Sequence, residues 1–307
     1  MNTLIAGGTG FIGTALARSL LADGHSVSIL SRAPHPSRLP AGAQLFSWDG
    51  RTTRGWLDVF ENSDAIVNLV GETTGRWPWT AGRKQRIHAS RVWAGKAMVD
   101  AYQQAGRKPP VYIQASGITI YGPQGSQPVD ESALPGDDFM ARVAVDWEAS
   151  TSTLDSMPAV RRAIIRTSLV LDARQGIQPL MALPVLLFVG GRLGTGRQGV
   201  SWIHIDDEVR AIRFLIENEK ARGAFNLSAP HPLESAAYFR ALAKALGRPY
   251  WLPVPAFALR LALGEMSTLV LDGEFAQPKR LLELGFVFKY ERIEQAFQAL
   301  YRSRPAL

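Results

Sequence analysis

Apolar residues in the first half of the chain come in short unbroken blocks, at 3–6, 27–30, 65–70, 111–115 and 163–170. Blocks of this length without polar alternation are the pattern of strands covered on both faces in a parallel sheet. Between them, 11–22, roughly 80–105, and 139–154 carry the spacing of helices. Strand and helix in alternation predict an α/β fold with helices on both sides of the sheet. After about residue 170 the texture changes. A loop, Gly190-Gly191-Arg192-Leu193-Gly194-Thr195-Gly196, is followed by an apolar block at 200–205 and a helix from Asp206, which reads as its N-cap. Turns then separate amphipathic helices at 233–246, 256–266, 278–284 and 293–301. The expected organisation is a nucleotide-binding domain over 1–170, with 200–228 returning to it, and a smaller C-terminal substrate lobe over 171–307.

Composition narrows the class. The chain has 307 residues, 46% hydrophobic and 20% charged, and no cysteine, so disulfides, thiolate metal sites and a cysteine nucleophile are excluded. The formal charge of +7 is spread without a basic run. Arg161-Arg162 and Arg83-Lys84 read as solvated faces, and no nucleic-acid partner is expected. The most apolar stretch, 180–189, is about half of what a bilayer crossing needs and contains Pro184. It reads as a buried helix or a pocket wall. No signal-peptide pattern precedes the first block, and the expectation is a cytoplasmic protein without a membrane partner. The five His are dispersed, so no metal-site spacing arises.

The strongest local motif lies between the first strand and the first helix, Gly7-Gly8-Thr9-Gly10-Phe11-Ile12-Gly13. Gly7 allows the tight turn, Gly10 lets backbone approach a pyrophosphate, and Gly13 lets helix and strand pack closely. The pyrophosphate would face the amides and positive end of the helix. This is the dinucleotide fingerprint of a Rossmann-type doubly wound parallel sheet. The second strand ends Ile29-Leu30-Ser31-Arg32, with no carboxylate until Asp49. A site for NAD usually places an acid there; Ser31 and Arg32 instead suit the 2′-phosphate of NADP. Thr9, Phe11 and Ile12 in the loop, and Leu69, Val70, Gly71 and Ser116 after later strands, complete the expected cofactor contacts.

Together with the segments Asp64–Glu72 and Ser116-Gly117-Ile118-Thr119-Ile120-Tyr121-Gly122, this loop resembles the extended short-chain dehydrogenase/reductases, relatives of the nucleotide-sugar epimerases. Gly194-Thr195-Gly196-Arg197-Gln198, Ser201-Trp202-Ile203-His204-Ile205-Asp206-Asp207 and Phe225-Asn226-Leu227-Ser228-Ala229-Pro230 narrow the resemblance to an atypical branch, an uncharacterised epimerase family. The segments Leu263-Gly264-Glu265-Met266 and 278–286 look like that branch's own C-terminal domain. The resemblance implies NADP(H) binding and leaves the substrate open. The extended enzymes use Ser or Thr with Tyr-x-x-x-Lys, in which Lys lowers the Tyr pKa. No Tyr-x-x-x-Lys occurs here. With Glu148 aligned to the acid closing that helix, Met140 and Ala144 stand in place of the pair.

Other groups are therefore candidates for chemistry. Ser116 lies just past a strand at the edge where ligands bind, and Tyr121 and Glu72 are within reach of the same crevice. The competing readings are a loop Ser, a core Tyr and a capping carboxylate. His204 between two isoleucines reads first as structural. Trp77-Pro78-Trp79 either roofs a pocket or packs on the second lobe. Three functions are in play. The first is an NADP-dependent oxidoreductase or isomerase with an unusual proton donor, acting on an unidentified small molecule. The second holds or senses NADP(H) without turnover, and the third is a nucleotide-sugar epimerase. Oligomerisation is left open.

Overall fold

The computed structural model of the chain describes residues 1–32 and 39–301. Seven strands form one parallel sheet: β1 (Asn2–Ala6), β2 (Ser26–Ser31), β3 (Gln44–Ser47), β4 (Ala65–Asn68), β5 (Val111–Gly117), β6 (Arg161–Thr167) and β7 (Gly223–Leu227). Their order across the sheet is β7-β6-β5-β4-β1-β2-β3. The winding reverses between β1 and β4, which opens a crevice at the carboxyl ends of those strands. This is the Rossmann-type doubly wound sheet that the block pattern and glycine loop predict.

Both faces are buried, as the unbroken apolar blocks require. Ile5, Val67, Ile113 and Ile165 face α1 (Phe11–Ala22) on one side, packed with Leu16 and Leu20. Helix α6 (Ile205–Glu217) adds Ile212 and Leu215 to that same layer. On the other face Leu4, Ile66 and Tyr112 meet Met98 and Tyr102 of α3 (Ala81–Gln104) and Phe60 of α2 (Leu57–Glu61). Between β5 and β6 lies α4 (Phe139–Ala149), capped by Asp138, whose carboxylate accepts the Ala141 amide at 2.8 Å.

A separate apolar cluster forms from segments between residues 171 and 301. Trp202, Tyr238, Phe239 and Phe297 join α7 (Ser235–Ala245) to the helix Ile293–Tyr301 and to α5 (Gln178–Leu186). Residues 275–276 pair in parallel with 128–129, tying that segment to the loop after β5. No helix among the described residues is long and apolar enough to cross a membrane.

Several sequence expectations change here. The block 163–170 is not one strand. β6 ends at Thr167, Ser168 directs both its amide and its hydroxyl to the Leu227 carbonyl, and 169–171 leaves the sheet to pair with 202–204. The short β3 and α2 were not foreseen, because a half-exposed edge strand and a five-residue helix carry little periodicity. The apolar stretch 180–189 is helical only as far as Leu186 and is not buried as a whole. Leu180, Leu183, Leu187 and Phe188 are exposed, as is nearly all of Leu261 on Ala256–Leu263.

Arg161 and Arg162 are buried rather than solvated. Arg161 donates to the carbonyls of Leu215, Ile216 and Ala221, satisfying the end of α6. Arg162 pairs with Asp155 and donates to the Glu148 carbonyl. Arg83 and Lys84 likewise pair, with Glu72 and Glu265. His204, not Asp206, caps α6; its Nδ1 accepts the Asp206 amide at 3.1 Å, and its ring lies 4.0 Å from that of Tyr290.

Candidate active site at the carboxyl edge of the sheet

The glycine loop is shaped by close backbone approach. Gly7 has φ +81°, a conformation that side chains resist. A Cβ at Gly13 would lie 2.5 Å from the Gly7 oxygen and 2.7 Å from the Gly8 Cα, so only glycine lets α1 start this near β1. Gly8 is equally constrained, since a Cβ there would meet Ile29 of β2 at 2.7 Å. Gly10 is exposed, and no side chain caps α1. The first-turn amides of Phe11, Ile12 and Gly13 therefore carry the positive helix end toward the crevice. The Thr9 and Ser31 hydroxyls lie 3.2 Å apart across the loop.

The end of β2 carries a hydroxyl, Ser31, followed by a guanidinium, Arg32. Arg32 is exposed, with its stem over Gly50, where a Cβ would lie 3.5 Å from Cδ. The next carboxylate is occupied elsewhere. Asp49 accepts the amides of Arg51 and Thr52 and the Thr52 hydroxyl, each within 2.9 Å. Those bonds, the Thr52 amide foremost, hold its pKa below the usual carboxylate range. Among the described residues no acid is left at this strand end to take ribose hydroxyls, and a dinucleotide with a 2′-phosphate fits the residues present.

After β4, Leu69 and Val70 are half-buried, and the Leu69 amide donates to the Ala6 carbonyl at 2.9 Å. Gly71 is needed because the buried Arg91 lies beneath it; a Cβ would come within 3.0 Å of the guanidinium carbon. Arg91 donates to the Glu72 and Ile87 carbonyls, and burial lowers its pKa to about 10. The Glu72 carboxylate itself faces Arg83 at 3.2 Å and Arg86 at 3.6 Å. Trp79 packs edge-on against Phe139 at the start of α4, whereas Trp77 is exposed.

Ser116 and Tyr121 enter one network across the sheet. The Ser116 hydroxyl donates to Glu148 Oε1 at 2.6 Å. Arg166, beside Ser116 in the β5–β6 register, grips both Glu148 oxygens at 2.9 Å. Its remaining nitrogen donates to the Tyr121 hydroxyl at 3.0 Å, which donates in turn to Asn226 of β7 at 2.7 Å. Burial alone would lower the Arg166 pKa, but the bonds and charge of Glu148 outweigh it and raise it. Tyr121 is fully buried, and burial raises its pKa against the opposing pull of Arg166. Arg166 escaped the sequence reading. Its one signal was a charge inside the mainly apolar block 163–170.

On α4, Met140 is half-buried and Ala144 packs among Ile118, Ile120 and Tyr121. Neither position offers a proton. A cavity of about 460 Å³ opens elsewhere, beside Arg192, Arg240 and Trp251; it touches no residue of the glycine loop. Crevice position relative to the sheet, rather than cavity size, marks the site here.

A parallel sheet wound in this order, with that loop at its reversal point, defines a Rossmann dinucleotide-binding protein of the extended short-chain dehydrogenase/reductase type. The chain belongs to the epimerase family: residues 3–147 match the NAD dependent epimerase/dehydratase family, and 254–300 match a domain of unknown function (DUF1731). It is 36% identical over 313 residues to the epimerase family protein YfhF of Bacillus subtilis (strain 168), covering 99% of each chain. The chloroplastic SDR39U1 homolog of Arabidopsis thaliana is 35% identical, over 98% of this chain and 86% of its own. The crystal structure of human epimerase family protein SDR39U1 (isoform2) with NADPH is similar over 99% of this chain and 100% of that one, with a TM-score of 0.86 at 28% identity.

Proposed function

We propose that the chain is an NADP(H)-dependent oxidoreductase or isomerase whose small-molecule substrate enters between the carboxyl edge of the sheet and the C-terminal lobe. The observation that carries this reading is the Gly7–Gly13 turn, whose uncapped helix end faces a strand terminus bearing Ser31 and Arg32 and no spare acid. The NADPH in the human relative's structure supports the same cofactor. Amides of Thr9, Phe11, Ile12 and Gly13 would hold the pyrophosphate, with Gly10, whose own amide donates to the Gly7 carbonyl at 2.9 Å, letting it approach the backbone; Ser31 and Arg32 would hold the 2′-phosphate, and Leu69, Val70, Gly71 and Ser116 form the wall of the other half. When bound, the nicotinamide gives or accepts a hydride. The chain's own part is to orient that ring, exclude water and hold a proton near the reacting oxygen. Ser116, whose hydroxyl donates to Glu148, is the candidate for that role; Tyr121 and Glu72, tied to Arg166, Asn226, Arg83 and Arg86, act chiefly by fixing the frame.

A second reading, NADP(H) held without turnover, is favoured by Met140 and Ala144 where the family's proton-transfer pair belongs. A nucleotide-sugar epimerase would need a shuttle from outside α4. Titration of wild type and Arg32→Ala with NADPH and NADH tests the cofactor assignment. The expected preference for NADPH is at least about tenfold, or ~1.4 kcal/mol, and Arg32→Ala erases most of it. Equal affinities in wild type refute it. NADPH oxidation across a carbonyl panel, with Ser116→Ala and Tyr121→Phe as controls, separates turnover from binding alone.

A further inference from the structure

Glu208, the fourth residue of α6, is fully buried directly behind the carboxyl edge of the sheet. The Thr167 hydroxyl donates to its Oε1 at 2.8 Å, while the enclosed Oε2 has no partner among the described residues. Burial pushes its carboxyl pKa up to about 8 against the weaker pull of Thr167, and no neighbouring charge offsets that. The charged groups around it are turned elsewhere. On α6, His204 caps the helix, Asp206 meets Lys289, Asp207 meets Arg210, and Arg213 meets Asp23 beyond α1. From β6, Arg166 is taken by Glu148, and past β6 Asp172 closes its own turn on the amides of Arg174 and Gln175. Arg18 of α1 is exposed.

An ionised Glu208 would leave an anionic oxygen enclosed with nothing to bind. The neutral acid leaves only a carbonyl-type oxygen, a far smaller cost. A neutral acid also changes who donates. With the proton on Oε1, Glu208 donates to Thr167 Oγ1, and the threonine's own proton is released for another acceptor. Thr167 is the last residue of β6 and half-buried, with its carbonyl beside Gly117 at the end of β5. A dinucleotide whose pyrophosphate lies at α1 and whose adenosine lies over β2 places its other half over β4, β5 and β6.

We propose that Glu208 and Thr167 form a two-residue donor, the carboxyl group holding the threonine oxygen so that its hydroxyl proton is presented to an acceptor oxygen on the nicotinamide half of NADP(H). The inference rests on the reading of the crevice as an NADP(H) site. Thr167 makes the contact and Glu208 is a positioning residue.

The test is NADPH binding, followed by fluorescence from pH 7 to 9.5, in wild type, Glu208→Gln, Glu208→Leu and Thr167→Val, with melting curves of each ligand-free protein. Wild type is expected to lose about fivefold in affinity as pH passes 8, the worth of one hydrogen bond. Glu208→Gln, whose amide donates to the same oxygen at every pH, keeps the affinity and loses that pH dependence. Thr167→Val and Glu208→Leu bind about fivefold more weakly throughout. Because the folded-state pKa is raised, wild type loses stability as pH rises from the unfolded value toward 8, so Glu208→Gln gains on it in melting temperature over that window. Wild-type affinity and melting that track Glu208→Gln at all pH, or Thr167→Val binding as tightly as wild type, overturns the inference and leaves the cofactor reading standing. Failure of wild type to bind NADPH at any pH overturns that reading, and the inference with it. Should Glu208→Leu not fold, the glutamine and valine variants decide alone.

Discussion

Replacing Arg166 with methionine strips Glu148 of two hydrogen bonds at 2.9 Å and leaves its carboxylate, only 13% exposed, with the Ser116 hydroxyl as its remaining side-chain partner. The loss is not that of a surface ion pair. Removing one member of a buried pair strands the other charge, at a cost of about 3–5 kcal/mol. An unfolding entropy of ~2.1 cal/mol/K per residue makes about 0.64 kcal/mol/K for 307 residues. The variant should therefore melt about 5–8 °C below wild type. Glu148→Leu alone strands Arg166 and should cost a similar amount. The double variant Arg166→Met/Glu148→Leu removes both charges, leaves Ser116 and Tyr121 with one partner fewer each, and should lose much less than the sum. Thermal melts of the four proteins give the coupling, expected to be at least ~2 kcal/mol. Losses additive within about 0.5 kcal/mol would refute the argument that this pair acts as one buried unit.

Two further perturbations probe neighbouring parts of the frame. Gly13→Ala sets a methyl against backbone 2.5 Å away at Gly7, which cannot yield by a rotamer change. It should cost about 1–3 kcal/mol in melts and weaken NADPH by about tenfold or more; a variant unchanged in both measurements removes close packing as the reason for this glycine. Asp207→Ala takes away the acceptor for the amides of Lys289 and Tyr290 and for Arg210. The expected loss is about 2–4 kcal/mol, with faster hydrogen exchange at those two amides, and unaltered exchange there would show that Asp207 does not anchor the segment.

What sequence alone determined was whatever local geometry dictates. The turn at Gly7, the need for glycine at Gly13, the buried strands β1, β2, β4 and β5, and the missing acid after Arg32 are each written in a short local stretch of residues. Short apolar blocks alternating with helical stretches suit a sheet covered on both faces, and a positive φ has one favoured residue. The helix α4 was legible, and so was its lack of a Tyr–Lys pair. Tertiary structure alone decided the rest. Nothing near Arg166 in the chain announces Glu148, 18 residues earlier on α4, or Tyr121, 45 residues earlier in the turn after β5; the β5–β6 register sets Arg166 beside Ser116, and the packing of α4 and that turn on the sheet edge brings the other two to it. Arg161 and Arg162 looked like solvent-facing charges until the end of α6 and Asp155 came to them. Glu208 shows the same limit most sharply. In sequence it is one of three acids opening a helix, the ordinary complement to a helix dipole. Only packing shows that two of these find partners of opposite charge, while the third is sealed behind Thr167 with none. Burial and counter-charge are properties of the assembled sheet and helices, so residues far apart in the chain determine what such a group can do.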